Sequence, residues 1–215
     1  MIYLFNASGA NTPLVKDFPI ESYKSIADGT AVGLKDGLIV PADEQDVFVG
    51  VAAEDHPGLP DMLNARADGE KIRVSFSPTA VYGMPAQKIT VTAAGTATTV
   101  KCASANLSAS LANGRLVLLA KAEGSTNPAC VGSVRKFTTV TISGNEATFT
   151  VENGGKASVG DVYAVLPAIG SEVYLSDLLD GAVVYNGSTT VTGTLVCVDE
   201  KNAVWGVMFA DSFLA

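Results

Sequence analysis

The residues best equipped for chemistry in this chain are carboxylates in two neighbouring loops. They are Asp43, Glu44 and Asp46 in the first loop, and Glu54, Asp55 and Asp61 in and around the second. Carboxylate groups of this kind bind Ca²⁺ or carry out acid–base work in glycoside hydrolysis. Neither loop follows the EF-hand pattern or another spacing that fixes a geometry. A solvated acidic rim is the simpler interpretation, and a Ca²⁺ site or a catalytic pair are the alternatives.

Histidine and cysteine are too sparse for the common catalytic and metal sites. His56 is the only histidine, and Cys102, Cys130 and Cys197 show no CxxC spacing. A Ser/His or Cys/His hydrolase and a zinc site both need more of these groups, and no phosphate-cradling glycine motif is present. We therefore predict no enzyme, no metal and no cofactor. The cysteines are expected to be buried and reduced, and the alternatives are a disulfide between Cys102 and Cys130 or a reactive thiol.

The composition indicates that copies of this chain or another protein cover a large part of its surface. Charged residues make up 17% of the chain, against about 25% in soluble domains, and the mean hydropathy is +0.29. The net charge of −8, without a basic cluster interleaved with aromatic residues, argues against nucleic acid as a direct partner. No apolar run approaches the roughly 18 residues of a membrane span. The N-terminus lacks the basic start of a secretory signal, so we expect a protein made without export.

The elements that would position these residues begin with one compact β unit at residues 28–55. Two β-prone runs flank Asp36 and Gly37, which predicts a hairpin because Gly37 accepts the positive φ of a tight turn. A polar loop follows, and residues 47–53 then return as a nearly continuous apolar strand. Gly50 in the middle of that strand predicts a bulge or a close backbone approach.

Residues 1–22 are predicted to form an N-terminal arm. Their apolar side chains are separated by Pro13, Pro19 and a turn-forming stretch, so they lack a local core. Two interpretations stay open: an arm that crosses to another subunit, and a first strand that folds onto its own domain. The candidate capsid or subunit contacts are Ile2, Tyr3, Leu4, Phe5, Leu14 and Phe18, together with the C-terminal Phe213 and Leu214.

The rest of the chain predicts an all-β protein of two parts. Residues 88–157 are rich in Thr, Ala and Ser and are expected to form an inserted β-sandwich-like subdomain, with a hairpin around Gly144 and a possible short helix over residues 104–113. Residues 23–87 and 158–215 form the predicted main β domain, a small β-barrel or β-tulip-like unit, and at most one or two short helices are expected in the whole chain. The second segment echoes the first. Tyr23-x-Ser25 with residues 28–32 recurs as Tyr174-x-Ser176 with residues 180–184, and residues 48–55 recur as residues 204–211. This repetition indicates two related β units.

Residues 26–43 are followed by the sequence Phe-Val-Gly-Val-Ala-Ala-Glu-Asp at residues 48–55. This pattern resembles the head decoration (cement) proteins of tailed bacteriophages. The resemblance covers roughly residues 23–83 and, more weakly, residues 172–211. It implies a virion structural protein, made in the host cytoplasm, that binds the outer surface of an expanded capsid. Its partner would be the major capsid protein, and it would often act as a homotrimer. No contact with nucleic acid or membrane is expected.

A function of a different class stays open beside this one. The sandwich-like middle and its Thr- and Asn-rich loops also fit a head-fibre or tail-associated module that binds a host surface or glycan. A carboxylate glycosidase that uses Asp43, Asp46 and Asp55 is the third hypothesis.

Overall fold

The computed structural model describes residues 2–6, 14–21, 24–43, 46–58, 70–76, 80–105, 107–175, 183–184 and 191–209 of the 215-residue chain. All regular elements within these ranges are β-strands, so the predicted all-β class is confirmed. No helix among these residues is long and apolar enough to cross a membrane.

Seventeen strands follow one another in the described residues. The first seven are β1 (Ile2–Asn6), β2 (Val15–Pro19), β3 (Ala31–Lys35), β4 (Leu38–Pro41), β5 (Val47–Ala52), β6 (Lys71–Ser75) and β7 (Ala80–Pro85). The next six are β8 (Gln87–Ala93), β9 (Thr99–Ala103), β10 (Arg115–Ala120), β11 (Val134–Ser143), β12 (Glu146–Val151) and β13 (Val162–Leu166). The last four are β14 (Glu172–Leu175), β15 (Val183–Val184), β16 (Val191–Asp199) and β17 (Val204–Phe209).

The chain divides into two compact units. The first contains Met1–Met84, Glu172–Thr194 and Gly206–Ala215, and the second contains Pro85–Ser171 and Leu195–Trp205. The predicted insertion at residues 88–157 thus lies inside a unit that is longer at its C-terminal end and that also takes up the Leu195–Trp205 hairpin. Within this second unit the indole N–H of Trp205 donates to Pro85 O at 3.0 Å.

Three sheets account for the strands. One has the order β2-β6-β5-β3-β4, and another has the order β1-β7-β17-β16-β14-β15. The six strands β10, β11, β12, β9, β8 and β13 form a sheet in which each strand pairs with two neighbours, so the sheet closes on itself. β1 and β2 are therefore edge strands of two different sheets.

The hairpin predicted around Gly37 is present. Asp36 and Gly37 have φ values of 50° and 81°, as the two central residues of a type I′ turn require, and Lys35 pairs with Leu38 across the turn. Gly50 in β5 meets both predictions made for it. A Cβ at Gly50 would lie 2.2 Å from the Ser75 backbone oxygen, and the β3–β5 register shifts beside it.

A hydrophobic cluster stabilises the five-stranded sheet. Phe18 and Leu34 pack against its buried members, which are Ile20, Ile26, Val32, Ile39, Val49, Ala52, Ile72 and Val74. Burial alternates along β6, because Ile72 and Val74 are buried whereas Lys71 and Arg73 are exposed. Each fully buried aliphatic side chain contributes about 1.5–3 kcal/mol, so this cluster anchors the strands around it.

The hairpin predicted around Gly144 is part of the closed sheet. Val140 faces Phe149 across β11 and β12, and both are buried, whereas the intervening threonines point outward. Phe149 packs edge to face on Phe137, with ring centroids 5.1 Å apart. Register shifts in the β10–β13, β11–β12 and β8–β9 pairs bend the strands, which allows a sheet of this size to close.

The arrangement within the all-β class differs from the expectation. The closed sheet lies in the middle of the chain, where a sandwich was expected, and the flanking segments form the open sheets. The helix proposed over residues 104–113 is wrong in the part that the structure describes. Leu107 and Leu111 are buried, but they close two successive turns in which their N–H groups donate to Ser104 O and Ser108 O.

The two flanking segments are similar in sequence but differ in how their strands pair. β3 lies directly beside β5 in the five-stranded sheet, whereas β15 pairs with β14 at the edge of its sheet and away from β17. The echoed apolar strands β5 and β17 do meet within the first unit, where the Phe48 and Phe209 rings lie 4.5 Å apart. Tyr23, Ser176, Asp180 and Asp211, which belong to the echoed phrases, lie outside the described residues.

Candidate functional site

The predicted contact residues of the N-terminal segment lie on the two edge strands, apart from Leu14, which directly precedes β2. Ile2, Tyr3, Leu4 and Phe5 belong to β1, which pairs with β7 of the same chain. This pairing matches the interpretation of a first strand folded onto its own domain. The ladder shifts register between Tyr3 and Phe5, so Leu4 is the bulged residue. Of the two C-terminal candidates, Phe213 and Leu214, nothing is described.

One side of the Leu4 side chain packs over Gly83, and the other side is open to solvent. A Cβ at Gly83 would lie 2.9 Å from Leu4 Cδ2, so the missing side chain of Gly83 makes room for the leucine. Leu4 nevertheless stays 42% exposed. A bulge on an edge strand both holds this side chain in place and interrupts the edge.

β2 presents a second apolar edge. Leu14 and Val15 are 58% and 44% exposed, although Val15 is held in the ladder opposite Ser75. Phe18, the remaining candidate of the segment, is half-buried and packs edge to face on Phe76 with centroids 6.0 Å apart. The exposed residues at the start of β2 thus offer apolar area, whereas Phe18 serves the core.

Charges and a proline limit what can pair with this edge. Lys16 Nζ lies 5.7 Å from the Phe18 ring centroid, and Asp17 lies 3.9 Å from the Arg73 guanidinium. Pro19 ends the strand and has no N–H to donate. Such residues on an edge strand oppose indefinite strand addition, so a specific partner fits this surface better than open-ended aggregation.

The acidic residues of the first loop act within the loop itself. The Asp43 N–H donates to Asp46 Oδ2, and the Asp46 N–H donates to Asp43 Oδ1, both at 3.1 Å. Each carboxylate therefore satisfies the backbone of the other, as Asp side chains commonly do in turns. Glu44 lies outside the described residues.

The acidic residues of the second loop also bind protein groups. Asp55 Oδ1 accepts from the Asp28 N–H at 2.8 Å, and Glu54 Oε1 accepts from the Arg73 N–H at 2.9 Å. Asp61 is not among the described residues. Within the described ranges no group of three His, Cys, Asp or Glu side chains is placed to hold a metal ion. The described carboxylates of the two loops therefore hold the local backbone in place.

His56 is mostly buried and has three polar neighbours, and its Nδ1 bonds one of two of them at a time, Lys24 O as a donor or the Gly58 N–H as an acceptor. Its Nε2 lies 3.2 Å from Glu70 Oε2, and its Nδ1 lies 3.2 Å from Lys24 O and 3.3 Å from the Gly58 nitrogen. Its backbone bridges to Ile26. The imidazole thus ties together three chain segments.

The three thiols occupy different environments. Cys102 is buried as expected, but Cys130 is exposed and Cys197 is half-exposed, and none forms a disulfide. Burial, with a smaller contribution from the Glu146 carboxylate, raises the pKa of Cys102 to about 12. Because the thiolate is the reactive form, Cys102 is chemically quiet.

A buried polar network around Asp161 is absent from the sequence-based expectations. Asp161 Oδ2 accepts from Asn127 Nδ2 at 2.8 Å, and the same amide group donates to the Tyr163 hydroxyl at 2.8 Å. The backbone N–H groups of Ala122 and Ser158 also donate to the carboxylate, each at 3.0 Å. The Asp-containing turn at residues 158–161 is a local signal, but Ala122 and Asn127 lie more than 30 residues away from Asp161 and leave no pattern.

The hydrogen bonds around Asp161 outweigh its burial. Burial alone raises the pKa of this carboxyl, but the donors at Ala122, Asn127, Ser158 and Ser125 together lower it below its ordinary value. The charged carboxylate therefore holds the two loops at residues 122–127 and 158–161 together.

Comparisons with known proteins identify no relative. No protein-family model, no curated protein and no solved structure matches the chain.

Proposed function

We propose that this chain is a virion structural protein that decorates the outer surface of a tailed-phage capsid and stabilises contacts between major capsid protein subunits. The observation that carries the proposal is the pair of apolar edge strands in the N-terminal segment, with Leu4, Leu14 and Val15 exposed. An apolar sheet edge that is partly protected by charge and proline suits one specific protein partner.

Homotrimer formation belongs to the same proposal. In a trimer joined along the β2 edges, the β1 edges of the copies contact the capsid together, and the second and third contacts then become intramolecular. Modest single contacts suffice under these conditions.

The electrostatic character fits a protein partner on the outside of the capsid. The net charge of −8 disfavours the phosphate backbone of packaged DNA. The described carboxylates of the two acidic loops are used by backbone N–H groups. A binding surface therefore explains the described features better than an active site does.

The decisive experiment measures binding of the purified chain to expanded phage heads that lack a decoration protein. Co-sedimentation should show saturable binding, and Val15→Asp should reduce it at least tenfold because it places a charge on the exposed edge. Ile169→Asp is the matched control, since Ile169 is 64% exposed on the second unit, and it should bind like the wild type. Heads that fail to bind the wild-type chain, or that bind both variants equally, would refute the proposal.

A host-surface or glycan-binding module is the second candidate. It is favoured by the separate second unit, whose strands β11 and β12 expose Thr138, Thr139, Thr141 and Thr150. Saturable binding to a glycan array without affinity for heads would support this candidate and exclude capsid decoration.

A further inference from the structure

Asn153 and Gly154 form an exposed Asn-Gly step in the loop that follows β12. Both residues are exposed. Within the described part of the chain, the Gly154 N–H donates no hydrogen bond, so none has to break before this peptide rotates. Because glycine has no side chain, it also leaves the rotation sterically unrestricted.

An Asn-Gly step of this kind can react with itself and with water. The Gly154 nitrogen attacks Cγ of the Asn153 side chain and closes a five-membered succinimide ring. The side-chain amide nitrogen leaves as ammonia and takes up the proton that the Gly154 N–H loses. Water then opens one of the two imide C–N bonds of the main chain or the ring, which leaves an aspartyl or an isoaspartyl residue at position 153. Asparagine is accordingly one of the thermolabile residues of proteins.

Asn113 and Gly114 form the same step in the same unit, but the fold packs it tightly. The Asn113 N–H donates to Thr138 O at 3.2 Å. Gly114 is buried, and a Cβ there would collide with the Phe137 ring and lie 2.6 Å from Leu166 O. The peptide between Asn113 and Gly114 rotates only when these neighbours move apart, so attack on Asn113 requires local opening.

We propose that Asn153 is a modification site, at which the folded chain converts its own side-chain amide into aspartyl and isoaspartyl forms. The co-reactant is water, and each event releases ammonia and adds a negative charge to the loop at residues 153–156. Asn113 has the same local sequence chemistry but is protected by the fold.

The isoaspartyl form should also disturb the loop. Its main chain is longer by one carbon directly before Gly154. A Cβ at Gly154 would lie 2.9 Å from Arg135 Nε, and a Cβ at Gly155 would collide with Pro128 Cγ, so both glycines fit closely against their neighbours. A longer chain cannot keep both contacts, and the isoaspartyl form should therefore unfold at a lower temperature than the unmodified chain.

The test is incubation of the full-length chain at mildly alkaline pH, followed by peptide mapping with mass spectrometry. The map gives the rate at each asparagine separately, so reaction at Asn186, which lies outside the described residues, does not interfere. In the folded chain Asn153 should deamidate at least about tenfold faster than Asn113, because only Asn113 waits for local opening. In guanidinium chloride the two rates should agree within about threefold, because both steps then lie in an open chain. The Asn153 product should contain isoaspartate, which protein isoaspartyl methyltransferase labels with a methyl group.

Asn153→Gln should stop deamidation in this loop, because the longer side chain would have to close a six-membered ring. Asn113→Gln is the matched control and should leave the rate at Asn153 unchanged. If a variant does not fold, the two wild-type rates decide the matter. Equal rates at Asn153 and Asn113 in the folded chain, or an Asn153 rate that rises at least about tenfold on unfolding, would overturn the proposal.

Discussion

The carboxylate of Asp161 shows how one side chain fixes two loops of the second unit. It is fully buried and accepts hydrogen bonds from both sides, from Ala122 and Asn127 in one loop and from Ser158 in the other. Hydrogen bonds to a charged group contribute about 1.5–3 kcal/mol each when they replace bonds to water. The cost of burying the charge is offset only while all donors stay in place.

Asp161→Asn should therefore destabilise the protein by about 2–4 kcal/mol at pH 7, since the amide presents a donor to N–H groups that need an acceptor. The pKa of Asp161 is lowered in the folded state, so its contribution is present above the unfolded pKa, near 3.9. It is lost as the pH falls through the lower, folded pKa. The stability difference between wild type and variant should thus shrink below about pH 4.

Thermal unfolding of both proteins between pH 7 and pH 3 measures this difference. Glu123→Gln serves as the control, because Glu123 is exposed in the same unit, and its unfolding temperature should follow the wild type at neutral pH. A gap between wild type and Asp161→Asn that persists unchanged to pH 3 would contradict the assigned role of the carboxylate.

At the scale of the elements, Gly50 is a position where β5 lies too close to the backbone of β6 for a side chain. The Ser75 backbone oxygen occupies the place of a Cβ at Gly50, at 2.2 Å, and a backbone atom cannot move aside as the end of a side chain can. Gly37 is a useful contrast, because its φ is +81° but a Cβ there would meet nothing within 4 Å. A substitution at Gly50 therefore tests the effect of backbone crowding, whereas a substitution at Gly37 tests the effect of a strained φ.

Gly50→Ala should be the more damaging of the two substitutions. It forces β5 and β6 apart beside the hydrophobic cluster and should cost about 3 kcal/mol or more. Gly37→Ala places an alanine in the left-handed region and should cost about 1–2 kcal/mol. Urea unfolding of the two variants and the wild type measures the free energy of unfolding that each substitution removes. Equal losses would show that the strands separate easily at Gly50.

Local elements were predictable because their causes are local. The turn at Asp36 and Gly37, the turn at Gly144, and the alternation of β6 and β11 each follow from residues within one short stretch. The closure of the six-stranded sheet was not predictable, because β13 pairs with β10 and β8, which are remote in the chain. The spacing of Leu107 and Leu111 fits two buried turns as well as a helix, so the pattern alone did not decide between them.

The candidate site was also predictable only in part. The apolar character of residues 2–5, Leu14 and Phe18 can be read from composition, but only strand pairing shows which side chain is exposed. Phe18 was predicted as a contact, yet it packs on the core cluster, and Val15 was not singled out, yet it is 44% exposed. The donors at Ala122 and Asn127 reach Asp161 through long-range contacts, which leave no spacing in the sequence.

At the scale of the whole molecule, the proposed trimer makes a prediction about the exposed edge of β2. Val15 lies in the ladder opposite Ser75 and its side chain is nearly half exposed. Val15→Asp should therefore leave the monomer folded, while an added charge on an edge strand opposes association. The wild type should sediment at about 66 kDa, three times the 22.0 kDa of the chain.

Sedimentation equilibrium over a range of concentrations tests this expectation without any capsid. Val15→Asp should raise the dissociation constant at least tenfold, because the charge would be buried without a partner at a subunit contact. Ile169→Asp should sediment as the wild type does. A wild-type chain that stays at 22.0 kDa at all concentrations would contradict the trimer, and head binding by that same monomer would then assign the β2 edge to the capsid alone.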